Sequence, residues 1–127
     1  MKKIHTIVLG HGSKNKETVG EFEKTIMRYK MLYPEDSVSC AFVEFSSPLL
    51  EEAVETLLEE EEIETLVIVP LFLSIGNHLT SHLPKRIEAL EKQFPNVVFK
   101  LARHIGADPL ICTIIKVRSD EVKYRQG

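Results

Sequence analysis

The sequence predicts an α/β fold: one doubly wound domain with a four-stranded parallel sheet in the order 2-1-3-4 and helices on both faces. Three observations carry this. Short β-branched runs alternate four times with stretches of helical periodicity, and the links between them are short. The most apolar run, TLVIVPLFL at 65–73, has the character of a central strand buried on both sides. Strict alternation with short connections implies parallel strands joined by helical crossovers.

Residues 4–9 are a β-branched run that closes on Gly10-His11-Gly12-Ser13, a strand entering a tight loop. Past about Lys14 the period changes, and Val19, Phe22, Ile26 and Tyr29 recur at helical spacing until Tyr33-Pro34-Glu35-Asp36 breaks the helix. Residues 37–45 alternate as a second strand, with Val38, Cys40 and Phe42 on one side and Ala41, Val43 and Phe45 on the other. Ser46-Ser47-Pro48 then reads as a serine cap with proline at the first helical position. The helix it opens has Leu50, Ala53, Val54, Leu57 and Leu58 on its apolar face. The acidic run at 59–62 sits at the wrong end for the helix dipole and reads as a solvated, frayed terminus.

Pro70 should end regular pairing in the third strand, because it cannot donate to a ladder. A loop at 74–78 follows, and Pro84 begins or kinks a helix that shows Leu83, Ile87, Leu90 and Phe94 on one face. Residues 96–102 make the fourth strand, and Asp108-Pro109 starts a last helix through Leu110, Ile114 and Val117.

The length, 127 residues, suits a single domain over 1–127 that can bury its own core. A formal charge of −3 excludes the basic field that nucleic-acid binding needs and argues against a membrane-surface role. No apolar run reaches the ~18 residues of a membrane span. Met1-Lys2-Lys3 leads into a strand with no small-residue cleavage site, unlike a signal peptide. Cys40 and Cys112 lie far apart without ligand spacing, which points to reduced thiols and a cytoplasmic location.

In a 2-1-3-4 sheet, ligands bind beyond the carboxyl ends of the strands, at the switch point between the first and third. His11 follows the first strand and His78 the third. Adjacent strand ends lie about 5 Å apart, so the two imidazoles can approach one cation from the same edge. Glu44 flanks His11 from the end of the second strand. Two imidazoles and a carboxylate suit cobalt, nickel or zinc and leave coordination positions open, as a transfer or catalytic site requires.

Each of these residues also has a plainer role open to it: a histidine bonding its own turn, a carboxylate capping a loop. His82 would share a helix face with His78, but Pro84 favours a surface or supporting place for it. His104, which follows the fourth strand, is a weaker candidate for the cleft rim, and His5, inside the first strand, is structural. Gly10, Gly12 and Gly76 supply turns and backbone room. The loop at 10–14 invites a phosphate-binding reading through amides at a helix start, although it is neither a Walker A loop nor G-x-G-x-x-G. No G-x-S-x-G elbow supports Ser13 as a nucleophile.

The stretches IVLGHGS, AFVEFSSP, VPLFLSIGNHLTSHLP and LARHIGADPLI resemble the short, single-lobe sirohydrochlorin cobaltochelatases, within the wider class II chelatase fold, over essentially the whole chain. The resemblance implies a lyase that inserts cobalt, or nickel, into a sirohydrochlorin-type tetrapyrrole in cobalamin-type or related biosynthesis. The divalent metal is then a substrate, and no organic cofactor is implied. The metal-handling residues fall on His11 and His78, with Glu44 as the acidic residue beside them. Gly12, Ser13, Lys14, Ser74 and Gly76 are the candidate contacts for the macrocycle. Lys14, Lys16, Lys85, Arg86 and Arg103 are candidate cations for its carboxylates. His82 stands where an acidic residue is expected before the Leu-Pro pair. A homodimer is implied, since the macrocycle is broad for one small lobe. The rival readings are a non-catalytic cobalt or nickel carrier, a flavodoxin-like module binding FMN or phosphate, and a ferrochelatase of the same fold.

Overall fold

In the computed structural model, which describes residues 3–125 apart from the side chain of His78, the chain runs through eight elements. These are β1 (Ile4–Gly10), α1 (Lys16–Leu32), β2 (Val38–Phe42), α2 (Leu50–Glu60), β3 (Thr65–Pro70), α3 (Asn77–Gln93), β4 (Val98–Leu101) and α4 (Pro109–Val122). The strands form one parallel sheet in the order β2-β1-β3-β4, as the alternation predicts. β3 stops at Pro70, which sits opposite Leu9 at the end of the ladder.

The core lies on the α2 and α3 side of the sheet. Ile7 and Leu9 of β1, Ala41 of β2 and Leu66 and Ile68 of β3 meet Leu50, Val54 and Leu57 of α2 and Leu79, Leu83, Ile87 and Leu90 of α3. Those helical positions recur every three or four residues, so burial selects one stripe of each helix. On the opposite face, the Phe22 ring of α1 packs on the Phe42 ring with centroids 5.2 Å apart, and Ile26 is buried. α4 begins as expected, with the Asp108 carboxylate accepting from the Leu110 N–H at 2.9 Å and Pro109 in its first turn. It buries none of its residues, and Leu110, Ile114 and Ile115 stay 72%, 49% and 62% exposed.

Three local expectations are corrected. β2 ends at Phe42, because the chain turns sharply at Phe45, where φ is +66° and the Ser46 N–H donates to the Glu44 carbonyl at 2.9 Å. The serines at 46 and 47 do not cap α2. Ser46 is engaged with Ser13, Leu49 is the cap residue, and the Glu52 carboxylate accepts from the Leu49 N–H at 2.8 Å. Pro84 does not begin α3; it lies inside a helix that starts at Asn77 and continues to Gln93. The acidic run at 59–62 is solvated as expected, with Glu59, Glu60 and Glu62 exposed and Glu61 paired with Lys3.

His5 is structural, as expected. Its ring is buried between the Ser37 hydroxyl at 2.6 Å and the Ser39 hydroxyl at 2.8 Å. Burial pushes its pKa below the ordinary 6.5. The folded state therefore prefers the neutral ring, and the unfolded chain binds the proton more readily. The stability this contributes is complete above the unfolded pKa and is lost as pH falls through 6.5 towards the folded value. Thermal unfolding followed from about pH 8 to about pH 5 should show this loss, and a His5→Gln variant should flatten it in that window.

Candidate active site at the carboxyl ends of the strands

The loops after β1 and β2 are stitched together by backbone. The Val43 N–H donates to the Gly10 carbonyl at 2.9 Å, and the Glu44 N–H donates to the His11 carbonyl at 3.1 Å. Gly12 makes this approach possible. It adopts φ +89°, and a Cβ there would overlap the Glu44 carbonyl oxygen. Gly10 is bare for a different reason, because the Phe22 ring lies over it, 2.9 Å from where a Cβ would stand.

His11 rests on the buried Phe72 ring just past β3, with centroids 4.1 Å apart and planes tilted by 32°. The contact orients the imidazole while leaving it exposed at the surface. Beside it opens a pocket of about 320 Å³ lined by His11, Val43, Glu44, Gly76, Leu79, His82 and Arg86. Imidazole and carboxylate donors thus meet where β1, β2 and the first turns of α3 come together, at the switch point expected for a ligand.

The structure brings His11, Glu44 and Gly76 to one pocket, as the sequence suggests. His78 is the second residue of α3, between Asn77 and Leu79 in sequence; its side chain lies outside the described residues. His82 is exposed at the surface, as expected, and also lines the pocket with His11. α3 is continuous from Asn77, so positions 78 and 82 share a helix face, and Pro84 does not interrupt it before that. Among the described residues no three metal-ligating side chains are already gathered around one point.

The remaining candidates flank this pocket. The Ser13 N–H donates to the Ser46 hydroxyl at 2.9 Å, and that hydroxyl donates to the Ser13 carbonyl at 3.0 Å. Lys14 extends over the Phe45 ring, its Nζ 5.4 Å from the centroid. Ser74 is exposed in the loop before α3. His104 lines a separate hollow between β4 and α4, with Arg103 and residues 105–111, and does not reach the His11 pocket.

Arg86, a candidate cation for the macrocycle's carboxylates, is engaged at the pocket wall. Its Nε and one terminal nitrogen donate to the two Glu51 oxygens at 2.7 and 2.6 Å, and the other terminal nitrogen donates to the Val43 carbonyl at 3.1 Å. This fork-to-carboxylate hydrogen bond raises the Arg86 pKa and holds the Glu51 carboxyl below the usual carboxylate range. Sequence reasoning missed this role, because the partners are separated by 35 positions.

The phosphate-loop alternative loses its basis here. Several of the amides nearest the helix start already have acceptors: Ser13 donates to the Ser46 hydroxyl, Asn15 to the Ser13 hydroxyl, and Glu17 and Thr18 to the Asn15 side chain. The start of α1 is capped from within.

This fold and this site define an α/β lobe of the chelatase type. A solved structure from Marinobacter aquaeolei VT8, described as a CbiX protein of cobalamin (vitamin B12) biosynthesis, superposes with a TM-score of 0.80 at 30% identity, covering 96% of this chain and 99% of that one. The chain belongs to the CbiX family, whose model matches residues 5–122. It is 32% identical to a sirohydrochlorin cobaltochelatase of Sulfurisphaera tokodaii over 88% of each chain. It is 31% identical to one of Methanosarcina barkeri, over 94% of this chain and 97% of that protein. SirB from Bacillus subtilis, solved with Fe3+, shares the fold at a TM-score of 0.84 and 22% identity; 98% of this chain covers only 49% of SirB.

Proposed function

We propose that this chain inserts a divalent metal ion, cobalt first and nickel as the second choice, into a sirohydrochlorin-type tetrapyrrole. The observation that carries the reading is the His11 pocket, shared with Glu44 and the first turns of α3, in a chain of the CbiX family. Relatives of about the same length are named sirohydrochlorin cobaltochelatases, which supports cobalt as the first metal.

Insertion exchanges one dication for two pyrrole protons, so the site must hold a cation and remove protons. The imidazoles of His11 and His78 are the proposed nitrogen donors for a borderline metal. Glu44 supplies a carboxylate at the same pocket that can take a proton as the metal enters. A nitrogen that ligates cannot accept the proton at the same time, so a division of labour between imidazole and carboxylate follows. Lys14, Lys16, Lys85 and Arg103 are the cations proposed for the macrocycle's carboxylates. Gly12, Ser13, Ser74 and Gly76 are proposed as its backbone and hydroxyl contacts. Cys40 and Cys112 carry free thiols, which suits a reducing cytoplasm.

The direct test is anaerobic absorbance of sirohydrochlorin with cobalt, then nickel, in the presence of the protein. Insertion above the spontaneous rate supports the reading. Metal binding without any rate advantage would hand it to the carrier alternative.

The lobe is proposed to act as a homodimer of residues 1–127. SirB is about twice as long as this chain, which suits a functional unit of two such lobes. α4 carries exposed Leu110, Ile114, Ile115, Val117 and Val122, a large apolar surface for a helix on a monomer. Sedimentation should give twice the chain mass, and an Ile114→Lys, Ile115→Lys double variant should give the chain mass. Retention of the dimer in that variant would move the interface elsewhere.

A further inference from the structure

We propose that Arg86 is a positioning residue for metal insertion: it locks the slide and rotation of α3 against the ends of β1 and β2, and so sets the spacing between the α3 histidines and His11. This rests on the chelatase reading of the pocket and adds a residue to its machinery.

The geometry begins with the helix. His78, His82 and Arg86 are spaced four residues apart along α3, so they share one face of it. His82 and Arg86 both line the pocket. The buried stripe of Leu79, Leu83, Ile87 and Leu90 presses α3 onto the sheet. Apolar contact of this kind is not directional and fixes the height of the helix better than its slide along the surface. Pro84 weakens the helix's own hold on its first turns. It has no N–H for the Thr80 carbonyl, so one rung is missing between the histidine-bearing turns and the rest of α3.

Arg86 supplies a directional anchor just past that missing rung. The two bonds to Glu51 tie α3 to the first turn of α2, and the bond to the Val43 carbonyl ties it to the residue following β2. Val43 in turn donates to Gly10, and Glu44 donates to His11. One guanidinium therefore joins α3, α2 and the β2 end, and through Val43 and Glu44 the loop that carries His11. The pair is partly buried, at 26% exposure for Arg86 and 38% for Glu51, and a planar fork matches a carboxylate in a way an ammonium does not. Glu51 does not line the pocket, so it contributes only through Arg86.

That separation makes the proposal testable against its main competitor, direct contact between Arg86 and a macrocycle carboxylate. Arg86→Lys and Glu51→Gln should each lower kcat for cobalt insertion about tenfold or more, with KM for sirohydrochlorin changed less than about threefold, as misplacement of reacting groups predicts. A Glu51→Asp variant should recover part of the loss. Cobalt(II) alone supplies a second readout. Titrated into the wild-type protein and both variants, it should give a visible absorption band altered the same way by either substitution. If Glu51→Gln behaves as wild type while Arg86→Lys raises KM alone, Arg86 is a substrate contact and the proposal is overturned. If the wild type inserts no metal, the chelatase reading fails separately. The cobalt spectra then decide whether Arg86 sets the histidine geometry, and unchanged spectra in both variants overturn that as well.

Discussion

Cobalt insertion should fall about 10²-fold or more, close to the spontaneous rate, when His11 is replaced by phenylalanine. Phenylalanine is the informative choice because His11 packs on the Phe72 ring at 4.1 Å. An alanine would remove both the ring contact and the nitrogens, whereas phenylalanine keeps a ring against Phe72 and deletes only the donors. The melting temperature of the variant should stay near that of the wild type while the rate collapses. His78→Ala should cause a loss of the same order. His82→Ala should cost less, because His82 shares the pocket without being the residue that leaves a strand end. The measurement is the anaerobic absorbance assay with cobalt, together with thermal unfolding of each variant. Wild-type insertion by His11→Phe would remove His11 from metal handling and leave the pocket without its central donor.

The parts of this arrangement that local patterns encode were legible in the sequence. The alternation of β-branched runs with helical periodicity led to the 2-1-3-4 sheet, and that order led to His11 and Glu44 at one edge. Pro70 ended β3 and Asp108 capped α4 because both effects act within a turn of the residue that causes them. The misreadings have the opposite character. Pro84 offered a helix start or a kink, and the start is excluded: the buried Leu79 and Leu83 hold α3 helical on its amino side, so packing outweighs a single lost hydrogen bond. An unbroken α3 places the exposed His82 along the pocket wall as well as at the surface. Ser46-Ser47-Pro48 has the pattern of a helix cap, yet α2 is capped at Leu49 and the Ser46 hydroxyl pairs with Ser13, which comes 33 positions earlier. The Arg86–Glu51 fork joins two helices that local periodicity treats separately. Its one trace in the sequence is the spacing of His78, His82 and Arg86, which acquires meaning only once α3 is known to be a single helix.

Gly12→Ala is expected to be the most damaging of the small substitutions, for a reason that lies in backbone and not in chemistry. Gly12 sits at φ +89°, where a side chain is strained by about 1–2 kcal/mol whatever surrounds it. Its Cβ would also overlap the Glu44 carbonyl oxygen and stand 2.9 Å from the carbonyl carbon. Those atoms are backbone, so relief requires the two loops to separate. The bond from the Glu44 N–H to the His11 carbonyl at 3.1 Å is then stretched, and the donors on either side of it part. Together these costs should exceed ~3 kcal/mol and lower the melting temperature by roughly 10 °C, with insertion impaired in the protein that still folds. Two other glycines supply the controls. Gly20 lies inside α1 with open space around a Cβ, so Gly20→Ala should stabilise by about 0.5–1 kcal/mol. Gly76 caps α3 at φ −79°, also with open space, so Gly76→Ala should fold normally and report only on the room the macrocycle needs. A Gly12→Ala protein as stable as the wild type would show that the β1 and β2 loops can part without cost. The pocket would then owe its shape to the Arg86 fork and the helix packing alone.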